Sequence, residues 1–172
     1  MNIDGYVACI CEGSAEQAII NLLLEDDRLT FNNQQLLDRQ IIRCRDGKSF
    51  ESKYLRKGFN QKITILRILD SRRENFKLSK AYEGKIDVIN IITAPEIEML
   101  IIFNENKYNE FKKSGMKPSD FCKSILKHKN VKSYDFVKNY FADVNQLIKC
   151  IGEYKRVSRV RKGEYTLCDL LK

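Results

Sequence analysis

Three acidic residues in this chain stand just past apolar runs: Glu12 after GYVACIC (5–11), Asp70 after KITILRIL (62–69), and Glu96 soon after DVINIIT (87–93). Short continuous apolar runs of this kind read as strands buried on both faces. In parallel sheets, functional residues collect just past the carboxyl ends of the strands. Three carboxylates meeting in one crevice repel each other unless a hard cation neutralises them, and Mg²⁺ takes a few carboxylate oxygens together with water. A metal held in that way polarises a phosphodiester, generates hydroxide and stabilises the leaving oxygen. Gly13 allows the backbone to turn sharply after Glu12. The chemistry expected from these positions is phosphodiester hydrolysis with Mg²⁺ or Mn²⁺.

The elements that must position these residues alternate along the chain. After the first strand, Ser14 opens an apolar-periodic helix (15–24), with Gln17 at the capping-box position. A second strand is expected at 40–44, followed by a loop and helix over 45–58. The third and fourth strands are the runs that end at Asp70 and Thr93. Thr93-Ala94-Pro95-Glu96 suits a helix start, with proline and acid in the first turn, and predicts a helix through 97–113. Strand–helix alternation implies an α/β fold with a mostly parallel sheet flanked by helices. Beyond Lys113 the character changes. Helices are expected at 121–128 and 133–154, with only a weak strand-like run at 157–160. The chain therefore divides into an α/β core (1–113) and a basic helical extension (114–172).

Charge follows the same division. The 172 residues carry 31 Lys and Arg against 23 Asp and Glu, a net charge of +8. Up to Phe103 the two signs balance, so the whole surplus lies in the last 69 residues. A concentrated basic surface attracts polyanions and releases their counterions, which points to nucleic acid as the partner. The densest stretch holds Lys155, Arg156, Arg159, Arg161 and Lys162, expected to track a nucleic-acid backbone without reading its sequence. Tyr134, Tyr140 and Tyr154 lie among basic residues, where helical core packing competes with base stacking as their use. The six cysteines show no C-x-x-C spacing, and with the single histidine, His128, they read as buried apolar residues of a reducing compartment. With 43% hydrophobic and 31% charged residues, a packed globular chain is expected, not a disordered or collagen-like one. No apolar run reaches the roughly 18 residues of a membrane span. The amino terminus lacks the pattern of a signal peptide, so a soluble cytoplasmic protein is expected.

The segment VACICEGSAEQAIINLLL (7–24) resembles the first motif of the Toprim domain, an apolar strand running into Glu-Gly followed by a helix with a second glutamate near its start. Glu12 and Glu16 are the matching residues. ITILRILDSRRENF (63–76) is similar in position to the later Toprim strand that ends in Asp-x-Asp, with Asp70 as the first aspartate and Arg72 where the second usually stands. INIITAPEIEMLIIF (89–103) resembles the strand, proline and helix of RloB-like and OLD-type Toprim proteins. The resemblance spans roughly 5–103, with gaps. It implies a metal-dependent nuclease of the kind found in bacterial anti-phage systems, with Glu12 and Asp70 at the catalytic metal and Glu16 and Glu98 as auxiliary ligands. Glu96 is the alternative to Glu98, because the two lie about 200° apart around a helix and cannot easily face one ion. Arg72 weakens metal binding at its position but can hold a phosphate with its planar fork. That departure leaves open a second reading, a catalytically degenerate domain that only binds nucleic acid. A third is an accessory subunit of a separate ATPase, since OLD-type nucleases couple Toprim to an ATPase and this chain has no G-x-x-x-x-G-K-[ST] loop.

Overall fold

The computed structural model describes residues 1, 3–56, 61–71, 75–93 and 95–172, with the side chain of Glu96 left out. Three strands form one fully parallel sheet in the order β1 (Tyr6–Cys11), β2 (Ile63–Leu69), β3 (Asp87–Ile92). The apolar runs become strands because both of their faces are covered. All seven residues of β2 are buried, as are Val7 to Cys11 of β1. Side chains alternate across the sheet. Val7, Cys9, Cys11, Leu66, Ile68 and Ile91 enter one core, and Ala8, Ile10, Ile63 and Ile65 enter the other. β3 begins exposed and is buried only at Ile91 and Ile92.

The expected strand at 40–44 does not form. That stretch touches the outer edge of β1 through one isolated parallel bridge, Ile10 with Ile42, and Leu36 just before it makes another with Val7. Between the bridges, a 3₁₀ turn (Leu37–Arg39) places Asp38 and Arg39 at positive φ, which takes the backbone out of extended geometry. The weak run at 157–160 is not a strand either. The helix before it reaches Val157, and the sheet gains a bridge from Tyr165 to Ile91 instead.

The larger helical layer comprises α1 (Ser14–Glu25), α4 (Glu96–Asn104), α5 (Tyr108–Ser114), α6 (Pro118–Ser124), α7 (Tyr134–Tyr140) and α8 (Val144–Val157). The smaller layer holds α2 (Gly47–Phe50), which continues as a π turn (Glu51–Leu55), and α3 (Lys80–Glu83) lies between β2 and β3. The helix expected over 97–113 breaks into α4 and α5 at Asn106, which has positive φ. The one expected over 133–154 breaks into α7 and α8. Ser133 caps the former by accepting from the Phe136 amide, and Asp143 caps the latter by accepting from the Asn145 and Gln146 amides. The chain's last 59 residues share the main core: Phe121, Val137, Phe141, Leu147, Ile151, Leu167 and Leu170 pack with Val7, Ile19, Leu23 and Ile101. No helix among the described residues is long and apolar enough to cross a membrane.

Candidate functional site at the carboxyl edge of the sheet

β1 and β2 run side by side in parallel, with Cys11 level with Ile68, so the residues after them emerge at the same edge. There the Oε2 of Glu12 accepts a hydrogen bond from the backbone N–H of Asp70 at 2.9 Å. The two residues chosen from separate stretches of sequence therefore meet. They line a cleft of about 440 Å³ with Cys11, Gly13, Arg43, Cys44 and Arg45. Asp70 is exposed and Glu12 half-buried, so both carboxylates reach solvent.

Glu16 takes a different position. It sits in the first turn of α1, only 3% exposed, and its carboxyl folds back over Gly13 so closely that a Cβ there would collide with Oε2. Burial pushes its pKa above the ordinary value and the charge of Asp70 adds to the rise, while its own backbone N–H, the Lys132 ammonium and the Thr93 hydroxyl oppose it. Thr93 Oγ1 lies 2.9 Å from the Leu69 carbonyl and 3.4 Å from Glu16 Oε1. A hydroxyl has one proton to give. Shared between the two contacts, it gives Glu16 the longer and weaker bond, so the hydroxyl opposes the rise only slightly. The cap of α1 is Gly13, without a side-chain bond, in place of the expected Ser14–Gln17 box. Ser14 Oγ and Gln17 Oε1 instead accept from Nη2 of Arg43, at 3.0 and 3.2 Å.

Glu98 is not brought to this cleft. Its carboxylate is buried in α4, 3.4 Å from the Lys132 ammonium, and lines a separate cavity. Arg72 lies outside the described residues. Of the carboxyl-terminal basic residues, Lys155 is bound to Asp169 at 2.7 Å and Arg156 to Glu153 at 2.7 Å, while Arg159, Arg161 and Lys162 are exposed. His128 is held at 2.9 Å from Glu105.

Arg43 and Arg45 belong to the site although their sequence positions did not suggest it. The strand-end rule that selected Glu12 and Asp70 applies equally to Arg43 and Arg45, which follow Ile42 at the β1 edge. Lys132, from a loop far along the chain, pairs with Glu98 at the separate cavity and does not line the cleft.

The chemistry open to the cleft can be narrowed. A cysteine nucleophile must be a thiolate. A hydrogen bond with Cys9 and burial raise the Cys11 thiol, and burial raises that of Cys44, so both stay protonated at neutral pH. What the cleft presents is two oxygen-donor carboxylates facing two guanidinium groups, an arrangement suited to a phosphate and a hard cation. Among the described residues no group of three or more His, Cys, Asp or Glu side chains is placed to hold a metal ion. Mg²⁺ commonly binds through one or two carboxylates with substrate phosphates and water completing its shell, and Glu12 and Asp70 fit that mode. No family model, curated protein or solved structure matches the chain.

Proposed function

We propose that the cleft is the active site of a Toprim-like, Mg²⁺-dependent phosphodiesterase acting on DNA or RNA. The observation that supports this reading is the meeting of Glu12 and Asp70, 58 residues apart, across one hydrogen bond at the carboxyl edge of a parallel sheet. Glu12 and Asp70 would hold the ion, which when bound supplies charge neutralisation and polarisation of the phosphoryl group. Arg43, anchored to α1 through Ser14 and Gln17, presents its remaining N–H donors to a phosphate oxygen, and Arg45 does the same from two residues on. Glu16, buried behind Gly13, positions the first turn of α1 rather than facing solvent.

The test is cleavage of labelled nucleic acids in Mg²⁺ or Mn²⁺ by the wild type, Glu12→Gln and Asp70→Asn. Each substitution removes a charge and keeps the shape, so cleavage is expected to fall on the order of 10²-fold or more with little change in melting temperature. Cleavage of no substrate, or normal cleavage by both variants, sinks the enzymatic reading. The arginine pair favours one alternative, a module that binds phosphate without chemistry. It predicts nucleic-acid binding that EDTA leaves unchanged and that Arg43→Gln weakens, with no cleavage under any metal.

A further inference from the structure

Lysines 123, 127, 129 and 132 fall within a stretch, 121–134, that contains no acidic residue. All four are exposed, and the side chains of the first three make no hydrogen bond or ion pair with a described residue. They surround the loop between α6 and α7, and the cavity under that loop, about 400 Å³, is lined by Glu98, Ser119, Lys123, His128, Lys129 and Lys132, among others.

The loop is held in place. Lys127 and Asn130 adopt positive φ, the His128 amide donates to the Cys122 carbonyl at 3.0 Å, and the Ser133 amide donates to Asn130 at 2.8 Å. The His128 ring packs edge-on against Phe136 and Tyr140, and Glu105 accepts from Tyr140 while also holding His128. Lys132 ties this loop to α4: it lies 3.4 Å from the buried Glu98 carboxylate, and its charge is also felt at Glu16 in the first turn of α1. In the carboxyl-terminal basic run Lys155 and Arg156 are paired with Asp169 and Glu153, Arg159, Arg161 and Lys162 are exposed, and the acids Glu153, Glu164 and Asp169 lie beside them in sequence, unlike the acid-free loop.

We infer that the surface gripping the phosphate backbone of a polynucleotide is the α6–α7 loop, through Lys123, Lys127 and Lys129, and not the run at 155–162. The inference rests on the phosphodiester reading of the cleft, because a polynucleotide substrate needs a basic surface to position its backbone. Each ammonium that neutralises a phosphate releases counterions from the polynucleotide, and each such contact adds roughly 0.7–0.9 to the slope of log K against log salt.

The experiment measures binding of a fluorescein-labelled oligonucleotide, as single- and double-stranded DNA and RNA, across a salt series in EDTA. Lys123→Gln/Lys129→Gln is compared with Arg159→Gln/Lys162→Gln. The four residues are exposed, so thermal melts of both variants should match the wild type. The loop variant is expected to lower the slope by about one to two and to weaken binding about ten-fold at moderate salt, and the tail variant to leave both unchanged. Equal loss in both variants, loss in the tail variant alone, or no binding overturns the inference. So does displacement of the oligonucleotide by a nucleoside monophosphate at matched phosphate concentration, which would identify a small-molecule site. Because EDTA removes chemistry, a loop-dependent slope in a protein that cuts nothing leaves this assignment standing while the nuclease reading fails.

Discussion

The Glu16 carboxyl is 3% exposed, next to the Thr93 hydroxyl and within the field of Asp70. Burial, the largest cause, raises its pKa from the usual 4.5 in the folded chain. The folded state therefore keeps its proton over a pH range in which the unfolded chain has lost it. The resulting stabilisation is complete below the unfolded value and disappears as pH rises through the folded one. Glutamine keeps the shape and never ionises. Glu16→Gln is thus expected to melt near the wild type at about pH 4 and a few degrees above it at neutral pH, since about 1 kcal/mol moves a chain of this size by roughly 2–4 °C. Melting curves by circular dichroism at both pH values check this, and a Glu16→Gln deficit that grows toward neutral pH would show that the carboxylate is needed charged. Gly13 provides an independent probe of the same contact. Alanine there collides with the Glu16 carboxyl oxygen, so Gly13→Ala should destabilise the wild type more than it destabilises a Glu16→Ala background.

Among the elements, the ones readable from sequence were those whose apolar pattern and tertiary surroundings agree. β1 and β2 follow from runs buried on both faces, β3 from an apolar run buried only at its end, and the places of Glu12 and Asp70 follow from the ends of the first two. The stretch at 40–44 misled because its apolar residues do pack against β1, at Ile42, yet Asp38 and Arg39 turn the backbone before a ladder can form. Helix breaks at Asn106 and before Asp143 were equally hidden, since the periodicity continues across them. Arg43 joins the site by contacts with the distant Ser14 and Gln17, which local pattern does not encode. The tail shows how a charge run can be structural. Asp169 takes the Thr166 amide and hydroxyl in a capping box and also binds Lys155. Burial works against its ionisation, but the bonds from Lys155 and Thr166 prevail and hold its pKa below the usual 3.8. A lowered carboxylate stabilises above its unfolded pKa and loses that contribution as pH falls through the folded one. Asp169→Ala is expected to cost about 1–2 kcal/mol near pH 7, the usual cost of a lost cap, and less near pH 3. Urea titrations at the two pH values measure it, and Lys155→Gln should lower stability without altering nucleic-acid binding.

At the scale of the whole molecule, the basic carboxyl-terminal part and the α/β part bury one another. Phe121 and Phe141 are at most 1% exposed within the core that also holds Val7, Ile19, Leu23 and Ile101, and α7 and α8 cover α1 and α4. A sheet of three strands with a thin second layer leaves the outer faces of α1 and α4 uncovered if those helices are taken away. Each large apolar side chain returned to water costs roughly 1.5–3 kcal/mol, against a total stability of roughly 5–15 kcal/mol for a typical domain. A chain cut after Lys113 is therefore expected not to fold alone: its amides should exchange fast, its near-ultraviolet dichroism should vanish, and it should bind hydrophobic dye. Phe121→Ala in the full chain gives the graded version, an expected loss of about 3–5 kcal/mol from one cavity. A 1–113 fragment with a cooperative melt would show that the sheet and α1–α5 are sufficient. The loop lysines would then hang on a separable module, and the ion pair of Lys132 with Glu98 would be accessory to the fold rather than built into its core.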